Sequence, residues 1–173
     1  FEEMDKLFAQ PYSDFRAVNT FEKFLSKFDV FFTTNQDMLV ERQFGNFTQG
    51  LSSSQNRSCV IPGIKWQEPY AFRGAYYQGT HLTSRFDNRI QHPSESNRSL
   101  DSNTIPYIKL HGSFNWRTSP ALHNELMIIK KKKEEQIKEN PLIKWYFDIF
   151  REKLFSPGSR LLVLGHSLLD PHI

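Results

Sequence analysis

Short apolar runs alternate along this chain with segments whose apolar residues recur every three or four positions, a pattern that predicts strands and helices in turn. Residues 20–27 have helical spacing, and the aromatic run at 29–32 is too short for a helix and reads as a buried parallel strand. After TTNQD, Met38, Leu39 and Val40 open a second helical pattern that ends near Gly45. Residues 46–104 are rich in Ser, Asn and Gln and are expected to form an irregular insertion. Its aromatics Trp66, Tyr70, Phe72, Tyr76 and Tyr77 suit either a lid over the core or a ligand, or a satellite hydrophobic cluster. Regular structure resumes with short apolar strands at 105–110 and 126–129. Asn140 then supplies an N-cap, Pro141 suits the first turn, and Leu142, Tyr146, Ile149, Phe150 and Leu154 continue at helical spacing. Pro157 and Gly158 close that helix, residues 161–164 are expected to be the clearest buried strand, and Gly165 follows at once. Strands alternating with helices predict an α/β fold with a parallel sheet and helices on both faces, and such sheets bind ligands beyond the carboxyl ends of their strands.

Composition adds bounds rather than a function. A chain of 173 residues fits one domain with one core, and its 16 Phe, 6 Tyr and 3 Trp enlarge the apolar area available to it. The net charge of +3 comes from 22 basic and 19 acidic residues, a mixed surface and not a nucleic-acid footprint. Residues 130–133, followed by Glu134 and Glu135, read as a solvated helix start. Cys59 is the only cysteine, so no internal disulfide, CxxC pair or four-cysteine zinc site exists, and a reducing cytoplasm is expected. No apolar run approaches the ~20 residues that span a bilayer. The sequons at Asn46, Asn56 and Asn97 lack an accompanying secretory segment and carry no weight.

Polar clusters terminate the apolar runs: Thr33, Thr34, Asn35, Gln36 and Asp37, then His111, Gly112 and Ser113, then Gly165, His166 and Ser167. Asn35 can hold a sugar hydroxyl or a water, and Asp37 can bind ribose hydroxyls or face a developing cation, although both residue types are also ordinary helix N-caps. His111 can accept a proton near neutral pH beside a glycine that permits close backbone approach; a lone histidine at a strand end is otherwise structural or merely exposed. Gly165 and Ser167 can meet a phosphate or ribose through N–H and hydroxyl groups, or simply form a strand-to-turn connection.

TTNQD followed by MLVE, then KLHGSFNW, then LLVLGHSLLDPHI resembles, in order and spacing, the sirtuin-like domains of bacterial antiviral proteins, from about Phe21 to the last residue. The resemblance implies a Rossmann-like sheet that binds NAD as substrate, without a metal. It implies that Asn35 and Asp37 lie at the nicotinamide ribose, that Thr34 and Gln36 also bind the cofactor, that His111 is the base, and that Gly165, His166, Ser167 and Asp170 lie on the adenosine side. The family's first strand and its glycine-rich loop would precede Phe1, and the eight glycines present form no G-x-G-x-x-G. The chain is therefore expected to be a piece of a longer protein and to bind NAD weakly alone.

The activity implied is hydrolysis of the nicotinamide–ribose bond to nicotinamide and ADP-ribose. Nicotinamide is a cationic leaving group, so the chemistry needs one base and a site tolerant of positive charge rather than a general acid. Resemblance to defence proteins further implies additional domains or a sensor subunit as partners, a homo-oligomer among the options, and neither membrane nor nucleic-acid contact. Two alternatives stand beside it: an NAD-dependent protein deacylase, which the missing zinc cysteines disfavour, and a non-catalytic module that binds NAD or ADP-ribose.

Overall fold

A strand paired on both edges and covered on both faces has to be apolar almost throughout, and TIPYIK meets that demand up to its last residue. The computed structural model describes residues 24, 27–37, 40, 58–67, 90–119, 124–129, 132–165 and 172–173. In chain order these include β1 (Phe31–Thr33), β2 (Ser58–Val60), β3 (Ile64–Gln67), β4 (Ile90–Pro93), β5 (Thr104–Lys109), β6 (Gly112–Arg117), β7 (Glu125–Met127), α1 (Lys133–Glu139) and α2 (Pro141–Phe155). β5 is the central strand of a parallel sheet ordered β1-β5-β2, with Phe32 opposite Ile108 and Cys59 opposite Ile105. β1 starts two residues later than the apolar run suggests, because pairing with β5 and not apolar character sets its limits.

A second sheet, ordered β3-β4-β6-β7, departs from the expected parallel arrangement. Its β3–β4 and β6–β7 pairs are antiparallel, and only β4 runs parallel to β6. The insertion is also more regular than expected, since β2, β3, β4 and a short 3-10 turn at Glu95–Asn97 all fall within residues 46–104. Three- and four-residue strands carry almost no local signal and are held by long-range pairing. Tyr70, Phe72, Tyr76 and Tyr77, with the proposed lid, lie outside the described residues, as do nearly all of the helices expected at 20–27 and after TTNQD.

α2 forms where its pattern predicts. The Asn140 side chain accepts hydrogen bonds from the backbone N–H groups of Leu142 and Ile143 at 3.1 and 3.0 Å, satisfying donors that a helix start leaves open, with Pro141 in the first turn. Leu142, Ile143, Tyr146, Phe147, Ile149 and Phe150 make one buried face against Ile108, Leu110, Trp116, Leu126 and Ile128. Phe32 meets Phe150 edge-on at 5.0 Å, tying the parallel sheet to this helix. At the start of α1, Lys132 is paired with Glu135 at 3.0 Å and both are exposed, as a solvated helix start requires.

Tyr146 is the polar exception on the buried face, and its hydroxyl donates to the Pro62 carbonyl at 2.5 Å. Burial pushes its phenol well above the ordinary value of 10.0, against a smaller downward pull from the Arg98 guanidinium. Because the folded-state pKa is raised, the stabilisation is complete below the unfolded value near 10.0 and is lost as pH rises beyond it. Tyr146→Phe is expected to cost about 1–2 kcal/mol at neutral pH, since the Pro62 carbonyl loses its donor, and to flatten the alkaline fall in stability. Thermal melts between about pH 7 and pH 11 check this, and an alkaline slope shared by wild type and variant would refute it.

One expectation is overturned. Residues 161–164 form no strand and are exposed, Leu162 at 53% and Leu164 at 67%. An apolar run states a preference for burial but not which sheet edge will take it, and no described strand hydrogen-bonds to this one.

Candidate functional site

Parallel strands paired in register deliver their carboxyl ends side by side, and β1 and β5 do so at Thr33 and Lys109. The loop after β1 and the turn after β5 are then bound together. Leu110 N–H donates to the Thr33 carbonyl at 2.9 Å, and Phe114 N–H donates to the Gln36 carbonyl at 3.1 Å. The Gln36 side-chain amide donates to the main-chain carbonyls of His111 at 3.1 Å and Ile128 at 2.9 Å. Gln36 thus clamps the turn that carries His111, and its donor group is spent on protein carbonyls.

Beneath this clamp lies a residue that the sequence pattern did not single out. Lys109 is fully buried, and its ammonium donates to the Asp37 main-chain carbonyl and to Ser113 Oγ, the latter at 2.9 Å. Ser113 is equally buried, and its hydroxyl donates to the Gln36 carbonyl at 3.1 Å. A buried ammonium is tolerated only when its donors are matched, so Lys109 and Ser113 fix the TTNQD backbone from below. The sequence signal was available: a lysine inside an otherwise apolar central strand requires a partner.

His111 is buried, at 6% exposure, which removes the reading of a merely exposed strand-end histidine. Gly112 directly after it has φ +72°, the left-handed region that glycine adopts without strain, and this turn aims β6 back along β7. The His111 carbonyl also accepts from Ile128 N–H at 2.9 Å. Asn35 is exposed at the mouth of the loop, with its N–H bonded to Thr33 Oγ1 at 3.0 Å, while Thr34 and Asp37 are half-buried.

The third cluster behaves differently. Gly165 is exposed with φ +63°, and His166, Ser167 and Asp170 lie outside the described residues. The same segment reaches the site further on, through His172. Its Nε2 is 2.7 Å from His111 Nε2, and its ring packs edge-on against Phe147 of α2 at 5.8 Å. Nothing local in DPHI marks His172, since its contact joins residues 61 positions apart.

Together these segments present an exposed amide, a half-buried carboxyl residue and a buried imidazole on one hydrogen-bonded scaffold. An amide, a carboxyl and an imidazole are groups that can hydrogen-bond to hydroxyls and take up a proton. Among the described residues no cluster of three or more His, Cys, Asp or Glu could hold a metal ion, and no helix is long and apolar enough to cross a membrane. A family model described as SIR2-like domain matches residues 29–173. No curated protein and no solved structure matches the chain.

Proposed function

The chain belongs to the SIR2-like domain family, whose members bind NAD, and from that premise we propose that it hydrolyses the nicotinamide–ribose bond of NAD. The observation that carries the reading is the union of TTNQD with KLHGS, which bonds the backbone of buried His111 to a loop bearing Asn35 and Asp37. Asn35 positions the ribose or the attacking water, Asp37 offsets the positive charge that develops on the sugar, and His111 accepts a proton from water or a ribose hydroxyl. Thr34 lines the same loop, and Gln36 serves by holding it. On the adenosine side the reading assigns Gly165, His166, Ser167 and Asp170. Its resemblance to antiviral proteins supports a cytoplasmic role in defence, with NAD loss as the output and a sensor domain or subunit as the trigger.

Incubating the complete, activated protein with NAD and quantifying nicotinamide and ADP-ribose tests the assignment directly. Equal amounts of both products are expected, and Asn35→Ala is expected to lower turnover about 100-fold, the usual cost of losing one positioned polar group. Since Asn35 is exposed, its melting temperature should not move. NAD loss only in the presence of an acylated peptide would replace hydrolysis by deacylation. Saturable NAD binding with no product would leave a binding module.

A further inference from the structure

A buried base that takes a proton from its substrate has to pass that proton on before it can act again, and the geometry around His111 supplies a route. Its Nε2 lies 2.7 Å from Nε2 of His172, with ring centroids 5.0 Å apart and planes inclined at 38°. At that separation the two nitrogens share a single hydrogen, because two N–H groups facing each other would repel and two lone pairs would attract nothing. When both rings are neutral they therefore hold opposite tautomers, one protonated on Nε2 and the other on Nδ1. His111 is buried, His172 is half-buried, and so the pair runs from the interior of the site toward solvent.

We propose that His172 is a positioning and proton-relay residue that sets the tautomer of His111 and carries its proton to water. The proposal rests on the reading of His111 as the base. In the step, a proton from water or a ribose hydroxyl arrives at His111 Nδ1. The hydrogen on His111 Nε2 moves to His172 Nε2, and His172 Nδ1 releases its own proton to solvent. One proton enters the pair, one leaves, and neither ring keeps a net charge; the tautomers are then exchanged, and the reverse shift resets them when His111 Nδ1 returns a proton to the ribose oxygen or water and His172 Nδ1 takes one from solvent. Phe147 and Ile173 give the relay its rigidity: the Phe147 ring packs against His172, and Ile173, the next residue, packs against the main core. A core aromatic against its ring and a core contact at the next residue both hold His172 in place.

The experiment compares wild type, His172→Ala and His172→Gln. Glutamine can place a nitrogen near the position of the imidazole Nε2 but cannot pass a proton through itself. Both variants are expected to lose roughly tenfold or more in kcat with KM for NAD nearly unchanged, as removal of a proton-transfer partner predicts. Added imidazole is expected to restore His172→Ala in proportion to its concentration. Independently of activity, protein labelled with nitrogen-15 at histidine should show a nitrogen–nitrogen coupling across the His111–His172 hydrogen bond. A His172→Gln variant with wild-type kcat, a His172→Ala variant with raised turnover, or absence of the coupling in wild type would each overturn the relay. A complete, activated wild-type protein that consumes no NAD would instead overturn the hydrolase reading, and the relay with it.

Discussion

Gly112→Ala is expected to be among the most destabilising single substitutions available in this chain. Two independent penalties meet at that residue. Its φ of +72° is a conformation that costs a side chain about 1–2 kcal/mol. A Cβ placed there would also stand 2.1 Å from the carbonyl oxygen of Leu126 and 3.0 Å from its carbon. Both are backbone atoms of β7, which cannot swing aside as a side-chain tip does, and the Leu126 side chain itself is buried in the core. Relief requires β6 and β7 to separate, which breaks the pairing of Gly112 with Met127 and disturbs the Ile128 N–H bond to the His111 carbonyl. A loss on the order of 4 kcal/mol or more follows, a large share of the roughly 5–15 kcal/mol that stabilises a typical domain. The melting temperature should fall by about 10 °C or more, and a fall of less than about 2 °C would show that the turn relaxes in some other way.

His111→Ala should act in the opposite manner, leaving the fold standing and removing the chemistry. The groups that clamp this turn, Gln36 Nε2 and Ile128 N–H, bind the main-chain carbonyl of His111, which alanine retains. The imidazole is lost, and with it the hydrogen bond to His172. Turnover of NAD is expected to drop by about 100- to 10,000-fold, the range for removing a general base, while NAD affinity measured by calorimetry changes little. Turnover within about threefold of wild type would take His111 out of the mechanism and leave it as a filler of the site. The contrast between the two neighbours is informative. Position 112 is needed for its backbone, and the proposed mechanism uses position 111 for its side chain, so activity and stability should separate across one peptide bond.

Much of the architecture could be read without coordinates wherever the controlling interactions are local. Asn140 and Pro141 start α2 through contacts within one turn, and the spacing of Leu142, Tyr146, Ile149 and Phe150 names its buried face. β5 was equally plain because a central parallel strand is apolar on both sides. The polar ends of β1 and β5 marked the candidate site for the same reason: polar residues that close an apolar run must leave the core. What depended on distant partners was not readable. The residues at 161–164 have strand composition and remain exposed, since composition does not supply a neighbouring edge. β2, β3 and β4 are too short to show a period, and their pairing across the insertion makes them strands. Lys109 drew no reading from the sequence pattern, and burial beside two acceptors gave it a task. His172 looked like the tail of a motif until its ring was found on His111. Short-range periodicity and capping chemistry are written residue by residue, and they were enough for the main helix, the central strand and the loops of the site. Which buried groups share a proton, and which apolar run finds a sheet edge, are settled by contacts between segments far apart in the chain, and those exist only once it has folded.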